Sequence, residues 1–162
     1  MAYNFIMKGR PCLMNLSEPY EMQFANSDIF IQGKTEKILA LQVKIAELVK
    51  ATNCFNNCPS VDCERKTLLA IYKDCLTLTF YIGFDYKYSL DEIKAAAEAS
   101  NLSSQFETLY VDINDFVVCS SLDHYTTLLE DFIPLGTALK FTEMEIRDAY
   151  SQININELHM LK

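Results

Sequence analysis

The residues with the most obvious potential for chemistry are three cysteines, Cys54, Cys58 and Cys63, because thiolates are common zinc ligands. Their spacing is Cys-x3-Cys-x4-Cys, without the tight Cys-x2-Cys pair typical of zinc sites, and a fourth ligand would be needed. The two histidines, His124 and His159, are both remote in sequence. The sequence therefore predicts a cysteine-bearing loop between two helices and no structural zinc.

Other familiar catalytic patterns are missing from the sequence. It contains no Ser-His-Asp ordering, no glycine-rich loop that could cradle phosphates, and no cysteine–histidine pair that the chain would bring together. We expect both histidines to lie at the surface. These catalytic patterns therefore identify no active site.

Composition limits the class of protein and its partners. The chain has 162 residues with 14 basic and 22 acidic side chains, giving a formal net charge of −8. One domain over residues 1–162 is expected at this length. The acidic balance and the absence of a basic stripe argue against nucleic-acid binding. Half the residues are apolar, so the chain can build a core.

We predict a cytoplasmic protein that does not enter a membrane. The apolar run Cys75–Phe84 has ten residues, whereas a membrane-spanning helix needs about 20. The first residues lack a continuous apolar run before a cleavage site, so no secretory signal is predicted. In this reducing compartment we expect the cysteines to stay as thiols.

The elements that must position any site are predicted to be helices. Only four glycines and four prolines interrupt the chain, and the stretches between them are long. Apolar residues recur at helical spacing over 34–52 and again over 64–82, with a loop at 53–63 between them. The stretch 104–133 shows the same period and is predicted to form two helices that break near Ser120–Ser121.

Two capping boxes mark further helix starts. Ser89 with Glu92 predicts a short helix through Ala99, and Thr142 with Glu145 predicts the start of a last helix. The expected fold is therefore an all-α bundle of six or seven helices, with helices 34–52 and 64–82 antiparallel in its core.

Three segments carry a resemblance to a known family. They are Tyr20–Gln23 (YEMQ), Lys37–Val49 (KILALQVKIAELV) and Leu68–Phe84 (LLAIYKDCLTLTFYIGF). The sequence resembles the all-α, dimeric dUTPases, a branch of the all-α nucleoside triphosphate pyrophosphatases that is common in phages and some bacteria. Their helices read like ALQVELGELANE and LLEEYVDGLHFLLSIGL. The similarity covers residues 16–84 well and residues 132–154 more loosely.

The resemblance implies a site made of carboxylates on two facing helices. In the family, a Glu-x-x-Glu and a Glu-x-x-Asp motif hold Mg²⁺ ions that clamp a polyphosphate and activate a water molecule. These positions correspond to Lys44, Glu47, Ile71 and Asp74, so two of the four carboxylates are lost. Lys44 would repel an incoming Mg²⁺, and Ile71 offers no ligand.

Other family positions are also changed. The residues that shape the base pocket correspond to Thr77 and Leu78, and the lysine that contacts phosphate corresponds to Ile153. Gln23 and Asn154 match family residues that bind the nucleotide and are retained. The resemblance therefore predicts nucleotide contacts at these two positions.

These observations favour a catalytically degenerate dUTPase-like homodimer, of phage or mobile-element origin, that binds a protein partner or a nucleotide without hydrolysing it. No cofactor is then expected. In this interpretation the Lys44 ammonium pairs with Asp74; residual Mg²⁺ binding by Glu47 and Asp74 is the competing interpretation.

Two alternatives stay open at this point. One is an active Mg²⁺-dependent dUTP or dNTP pyrophosphatase, in which Glu47 and Asp74 are joined by an unaligned acid such as Glu36, Glu64 or Asp62. The other is an unrelated helical interaction protein. The sequence does not name the partner, nor a role for the three clustered cysteines.

Overall fold

The computed structural model describes residues 33–54, 64–88, 101–142, 144–146 and 148, together with the backbone of four short strands. In chain order its elements are β1 (Ile6–Lys8), β2 (Met22–Phe24), β3 (Ser27–Ile31), α1 (Lys34–Thr52), α2 (Arg65–Asp85), β4 (Glu92–Lys94), α3 (Leu102–Val118) and α4 (Leu122–Ala138). The body of the protein is helical, and the predicted all-α fold is confirmed.

The strands form two small antiparallel pairs. In the first, β1 pairs with β4 and places Ile6 opposite Lys94. In the second, β2 pairs with β3 and places Met22 opposite Ile31, with an irregularity between Gln23 and Phe24. The described residues thus contain four complete helices and a short helical segment at 144–146.

The helix predicted from Ser89 through Ala99 is wrong at residues 92–94, which form β4. The Ser89–Glu92 capping pattern is a local signal that satisfies only two backbone donors. Pairing with β1, which is more than eighty residues away in the sequence, satisfies backbone groups of this segment instead. A distant strand therefore overrides the local preference for a helix.

Helices α1 and α2 form an antiparallel hairpin. Helix α1 has the predicted bounds, and α2 runs slightly past the predicted end at Ile82. Lys37, near the start of α1, contacts Asp85 at the end of α2, whereas Lys44 in the middle of α1 contacts Asp74. As the residue number rises along α1, the number of the contacting residue on α2 falls, which confirms the antiparallel arrangement.

The predicted break near Ser120–Ser121 is confirmed, because α3 ends at Val118 and α4 begins at Leu122. Both helices have side-chain N-caps. The Asn101 side chain accepts a hydrogen bond from the Ser104 backbone N–H at 2.8 Å, and the Ser121 hydroxyl accepts one from the His124 backbone N–H at 3.3 Å.

All four helices contribute to one hydrophobic core. Its centre contains an aromatic stack in which the rings of Tyr72 and Phe132 lie 5.2 Å apart. The other fully enclosed side chains include Ile45, Leu48, Leu78, Leu109 and Leu129. This core fixes the distance between α1 and α2, and hence the geometry of the side chains between them.

Helix α2 is the one described helix that is long and apolar enough to cross a membrane by length and composition alone. Core helices of soluble proteins pass the same test. Tyr72, Cys75, Leu76 and Leu78 of α2 are buried in the shared core, so the apolar character of this helix is accounted for by its packing.

The predicted capping box at Thr142 is confirmed. The Glu145 carboxylate accepts a hydrogen bond from the Thr142 backbone N–H at 2.7 Å, and the Thr142 hydroxyl accepts one from the Glu145 backbone N–H at 3.2 Å. Arg65, the first residue of α2, forms a two-pronged ion pair with the same Glu145. The start of the C-terminal segment is therefore fastened to the start of α2.

Candidate functional site

The candidate site lies between the middle turns of α1 and α2. Lys44 and Glu47 are three residues apart on α1 and therefore share a helical face. Asp74 projects toward them from the antiparallel α2. The structure thus brings together three of the four positions that the resemblance assigned to metal binding.

The Lys44 ammonium lies between two carboxylates. Its Nζ is 2.9 Å from Glu47 Oε2 and 3.5 Å from Asp74 Oδ2. The Lys44 and Asp74 side chains are about a quarter exposed, at 25% and 27%, and Glu47 is more open to solvent at 46%. The lysine therefore supplies a positive charge to both acids from within the chain.

The pKa shifts follow from this arrangement. Burial works to lower the pKa of Lys44, but the hydrogen bond with Glu47 and the charge of Asp74 outweigh it, so the pKa is raised. Burial raises the pKa of Asp74, although the nearby Lys44 ammonium opposes the shift. Lys44 is therefore firmly protonated at neutral pH, and the three groups carry a net charge of −1 when both carboxyls are ionised.

Ile71, at the fourth position, lies one turn before Asp74 on α2. Its side chain is half-buried and packs against the hydrophobic core. A hydrocarbon side chain has no lone pair to offer a cation, so this position extends the core where the resemblance implies a ligand.

Cys75 lies next to Asp74 but takes no part in the site. Its side chain is fully enclosed in the core, and burial strongly raises the pKa of its thiol. The thiolate is the reactive form of cysteine, so this residue packs as a small apolar side chain and is not a nucleophile.

The two positions that correspond to the family's base pocket, Thr77 and Leu78, make contacts within the helical bundle. The Thr77 hydroxyl donates a hydrogen bond to the Lys73 backbone carbonyl at 2.8 Å, and Leu78 is fully buried. Gln23 lies in β2 opposite Phe30, where only the backbone is described. Asn154 lies outside the described residues, so the two predicted nucleotide contacts stay predictions.

The unaligned acids lie far from this point along the helices. Glu36 is in the first turn of α1, about 12 Å from Lys44 along the helix axis, and Glu64 precedes α2, about 15 Å from Asp74. Asp62 lies outside the described residues. Within the described part of the chain, no group of three or more acidic, histidine or cysteine side chains is arranged to hold a metal ion.

A second ion pair at the end of the hairpin was not predicted from the sequence. Lys37 is only 2% exposed, and its Nζ lies 2.6 Å from Asp85 Oδ2 and 6.0 Å from the centre of the Tyr81 ring. A signal was present in the sequence: Lys37 occurs four residues before Leu41 and eight before Ile45, on the core face of α1. We regard this pair as structural, since it joins the helix ends.

The fold and the hairpin define a class: an all-α protein in which three of the positions that the resemblance assigned to metal binding come together between two antiparallel helices. Residues 19–159 match the dUTPase family, and the chain therefore belongs to that family. Members of this family are all-α and typically dimeric. Neither the curated proteins nor the solved structures yield a significant match to the chain.

Proposed function

We propose that this protein is a catalytically degenerate member of the dUTPase family that acts by binding a protein partner, or a nucleotide without hydrolysing it. The observation that carries the proposal is the position of the Lys44 ammonium, which contacts both Glu47 and Asp74. A cation supplied by the chain occupies the space between the two retained carboxylates.

Electrostatics argues against a family-type Mg²⁺ site at this point. Two unit charges about 4 Å apart interact by about 4 kcal/mol at an effective dielectric constant of about 20, and a divalent ion doubles that repulsion. The two retained carboxylates, Glu47 and Asp74, attract the ion, but the Lys44 ammonium cancels the charge of one of them, and Ile71 adds no further ligand. The donor set of the described residues therefore does not fit a two-metal centre, and we derive no hydrolytic step through Mg²⁺.

Membership of the family supports a second candidate, an active Mg²⁺-dependent dUTP or dNTP pyrophosphatase. Mg²⁺ keeps several waters and is often held by only one or two carboxylates. In this candidate Lys44 would have to leave Glu47 and Asp74, which would then be the ligands. Such an enzyme would lose activity on substitution of either acid.

The proposal extends to assembly and location. We propose a homodimer, as is typical of the family, located in the cytoplasm and without a required metal cofactor. The net charge of −8 favours partners whose binding surface is not anionic, and it disfavours nucleic acid. Phage or mobile-element origin is part of the same proposal and rests on the resemblance alone.

The proposal is tested by rebuilding the lost carboxylates. We expect the double variant Lys44→Glu plus Ile71→Glu to bind Mg²⁺ at least about tenfold more tightly than the natural protein, because it removes the repelling ammonium and adds two oxygen ligands. Titration calorimetry with MgCl₂ measures both affinities. The matched control is Lys50→Glu plus Ile71→Glu, which makes the same change of charge at an exposed position near the end of α1.

Equal Mg²⁺ affinity in the double variant and the control would contradict the assignment of this site. Tight Mg²⁺ binding by the natural protein would contradict degeneracy and favour the enzyme. Because Ile71 packs against the core, circular dichroism must first establish that both variants fold. If Ile71→Glu prevents folding, the single variants Lys44→Glu and Lys50→Glu are compared instead. Lys44→Glu then adds one carboxylate to the site where the double variant adds two.

A further inference from the structure

One carboxyl group is buried away from the α1–α2 site, on α3. Asp112 is only 8% exposed, although most of the buried side chains are apolar. Its Oδ2 atom is enclosed and has no hydrogen-bond partner within the described part of the chain. A buried polar atom without a partner is costly, so this position calls for an explanation.

The group within hydrogen-bonding reach of Asp112 is another carboxyl, Asp131, which projects from α4. Asp115, one turn along α3, adds a second negative charge nearby. No cation from the described helices is among the charges that act on Asp112. The buried lysine of α1, Lys37, forms its ion pair with Asp85 instead, at 2.6 Å.

Two ionised carboxylates cannot hydrogen-bond to each other, because both are acceptors only. In a partly dry contact their charges also repel. A proton on one of them removes both problems, since it cancels a charge and supplies the missing donor. Two carboxyl groups in contact characteristically hold one proton between them.

We infer that Asp112 and Asp131 share one proton, and that this pair is a pH-sensitive clasp between α3 and α4. The clasp is closed while the pair holds the proton and loosens when the proton is lost. This inference rests on the α3–α4 contact alone and is independent of the proposed function.

The direction of the pH dependence follows from the folded and unfolded proton affinities. Burial, and then the Asp131 charge, raises the pKa of Asp112 from its ordinary 3.8 to about 7. Between these values the folded protein holds a proton that the unfolded chain has released, so stability falls as the pH rises. The contribution of the clasp is complete below pH 3.8 and is lost as the pH rises through about 7.

Thermal unfolding of the full chain between pH 5.5 and 8.5 tests the clasp. We expect the midpoint of the natural protein to fall by several degrees across this range. Asp112→Asn should remove most of that fall, because the amide donates a hydrogen bond to Asp131 at every pH. Glu107→Gln, an exposed change of the same kind on α3, is the matched control and should follow the natural protein.

An equal fall in Asp112→Asn and the natural protein would overturn the inference. If Asp112→Asn does not fold, Asp131→Asn makes the same comparison from α4. Carbon-13 NMR of the side-chain carboxyls gives a direct readout: one proton of the pair should titrate near pH 7. Two carboxyls that both ionise below pH 5 would also overturn the inference.

Discussion

At the scale of single residues, a lysine beside two carboxylates reduces the repulsion between their negative charges, as a bound cation would. The Lys44 ammonium contacts Glu47 and Asp74 at 2.9 and 3.5 Å, so neither acid faces the other uncompensated. Pairs this exposed contribute only about 0–1 kcal/mol to stability. Their significance lies in the charge that they place in the site rather than in the strength of the fold.

Glu145 gives a residue-scale prediction for acid pH. Its hydrogen bonds with Arg65 and with Thr142 lower its pKa to about 2, from an ordinary value of 4.5. A carboxylate with a depressed folded pKa stabilises the protein above its unfolded pKa and loses this effect as the pH falls. We expect Glu145→Gln to unfold at a lower temperature than the natural protein at pH 7, with the difference shrinking between pH 4.5 and 2.

Thermal unfolding, monitored by circular dichroism at pH 7, 4.5 and 2, measures this difference in unfolding temperature. Glu107→Gln on α3 is the control, since its side chain is exposed to solvent. A difference between Glu145→Gln and the natural protein that stays constant from pH 7 to 2 would contradict the assigned role of the carboxylate.

At the scale of the elements, the close approach of α2 and α4 depends on Gly83. A Cβ atom there would lie 2.2 Å from the Tyr125 ring and hydroxyl. Tyr125 cannot easily move, because it is 2% exposed and its hydroxyl donates a hydrogen bond to the Thr79 carbonyl at 3.1 Å. The hairpin that carries the candidate site is thus held against α4 through a glycine.

Gly83→Ala tests that contact. Alanine favours a helix over glycine by about 1 kcal/mol, but overpacking of a core typically costs about 1–3 kcal/mol. We expect the overpacking to dominate and the free energy of unfolding, measured with urea, to fall. Gly33→Ala is the comparison: Gly33 is the N-cap of α1, where alanine is less favourable than glycine, but its Cβ would meet only the flexible end of Glu36, so the loss should be about 0.5–1 kcal/mol and smaller than at Gly83. A Gly83→Ala protein as stable as the natural one would contradict this packing.

The elements also show where sequence reasoning succeeds and fails. Helix α1 was predicted with its observed bounds because its apolar period is local, and the Thr142–Glu145 cap was found for the same reason. Strand β4 was missed because its partner, β1, is far away in the sequence. The Asp112–Asp131 contact was missed because the sequence does not fix how α3 and α4 face each other.

The site itself was predictable only in part. Spacing alone would place Lys44 and Glu47 on one face, but the correspondence of Asp74 with them came from the family resemblance. The structure adds the contact between Lys44 and Asp74, which was one of two competing interpretations of these residues. Whether Gln23 and Asn154 contact a nucleotide stays a prediction.

At the scale of the whole molecule, the proposed function implies that a dUTPase-family bundle is retained while the chemistry of its central site is changed. The family match covers residues 19–159, and the four described helices share one core. A fold can be kept while the activity is lost, because packing and catalysis depend on different residues. Most core residues of α1 and α2 are apolar and enclosed, whereas Lys44 and Asp74 lie at partly exposed turns near the middle of the two helices.

Pyrophosphate release from dUTP in the presence of Mg²⁺ tests the central claim most directly, with the four standard dNTPs measured beside it on the same sample. We expect no release above the protein-free background, because the protein is proposed to be degenerate. Mg²⁺-dependent release that Glu47→Ala or Asp74→Ala abolishes would contradict it and identify the chain as an active pyrophosphatase.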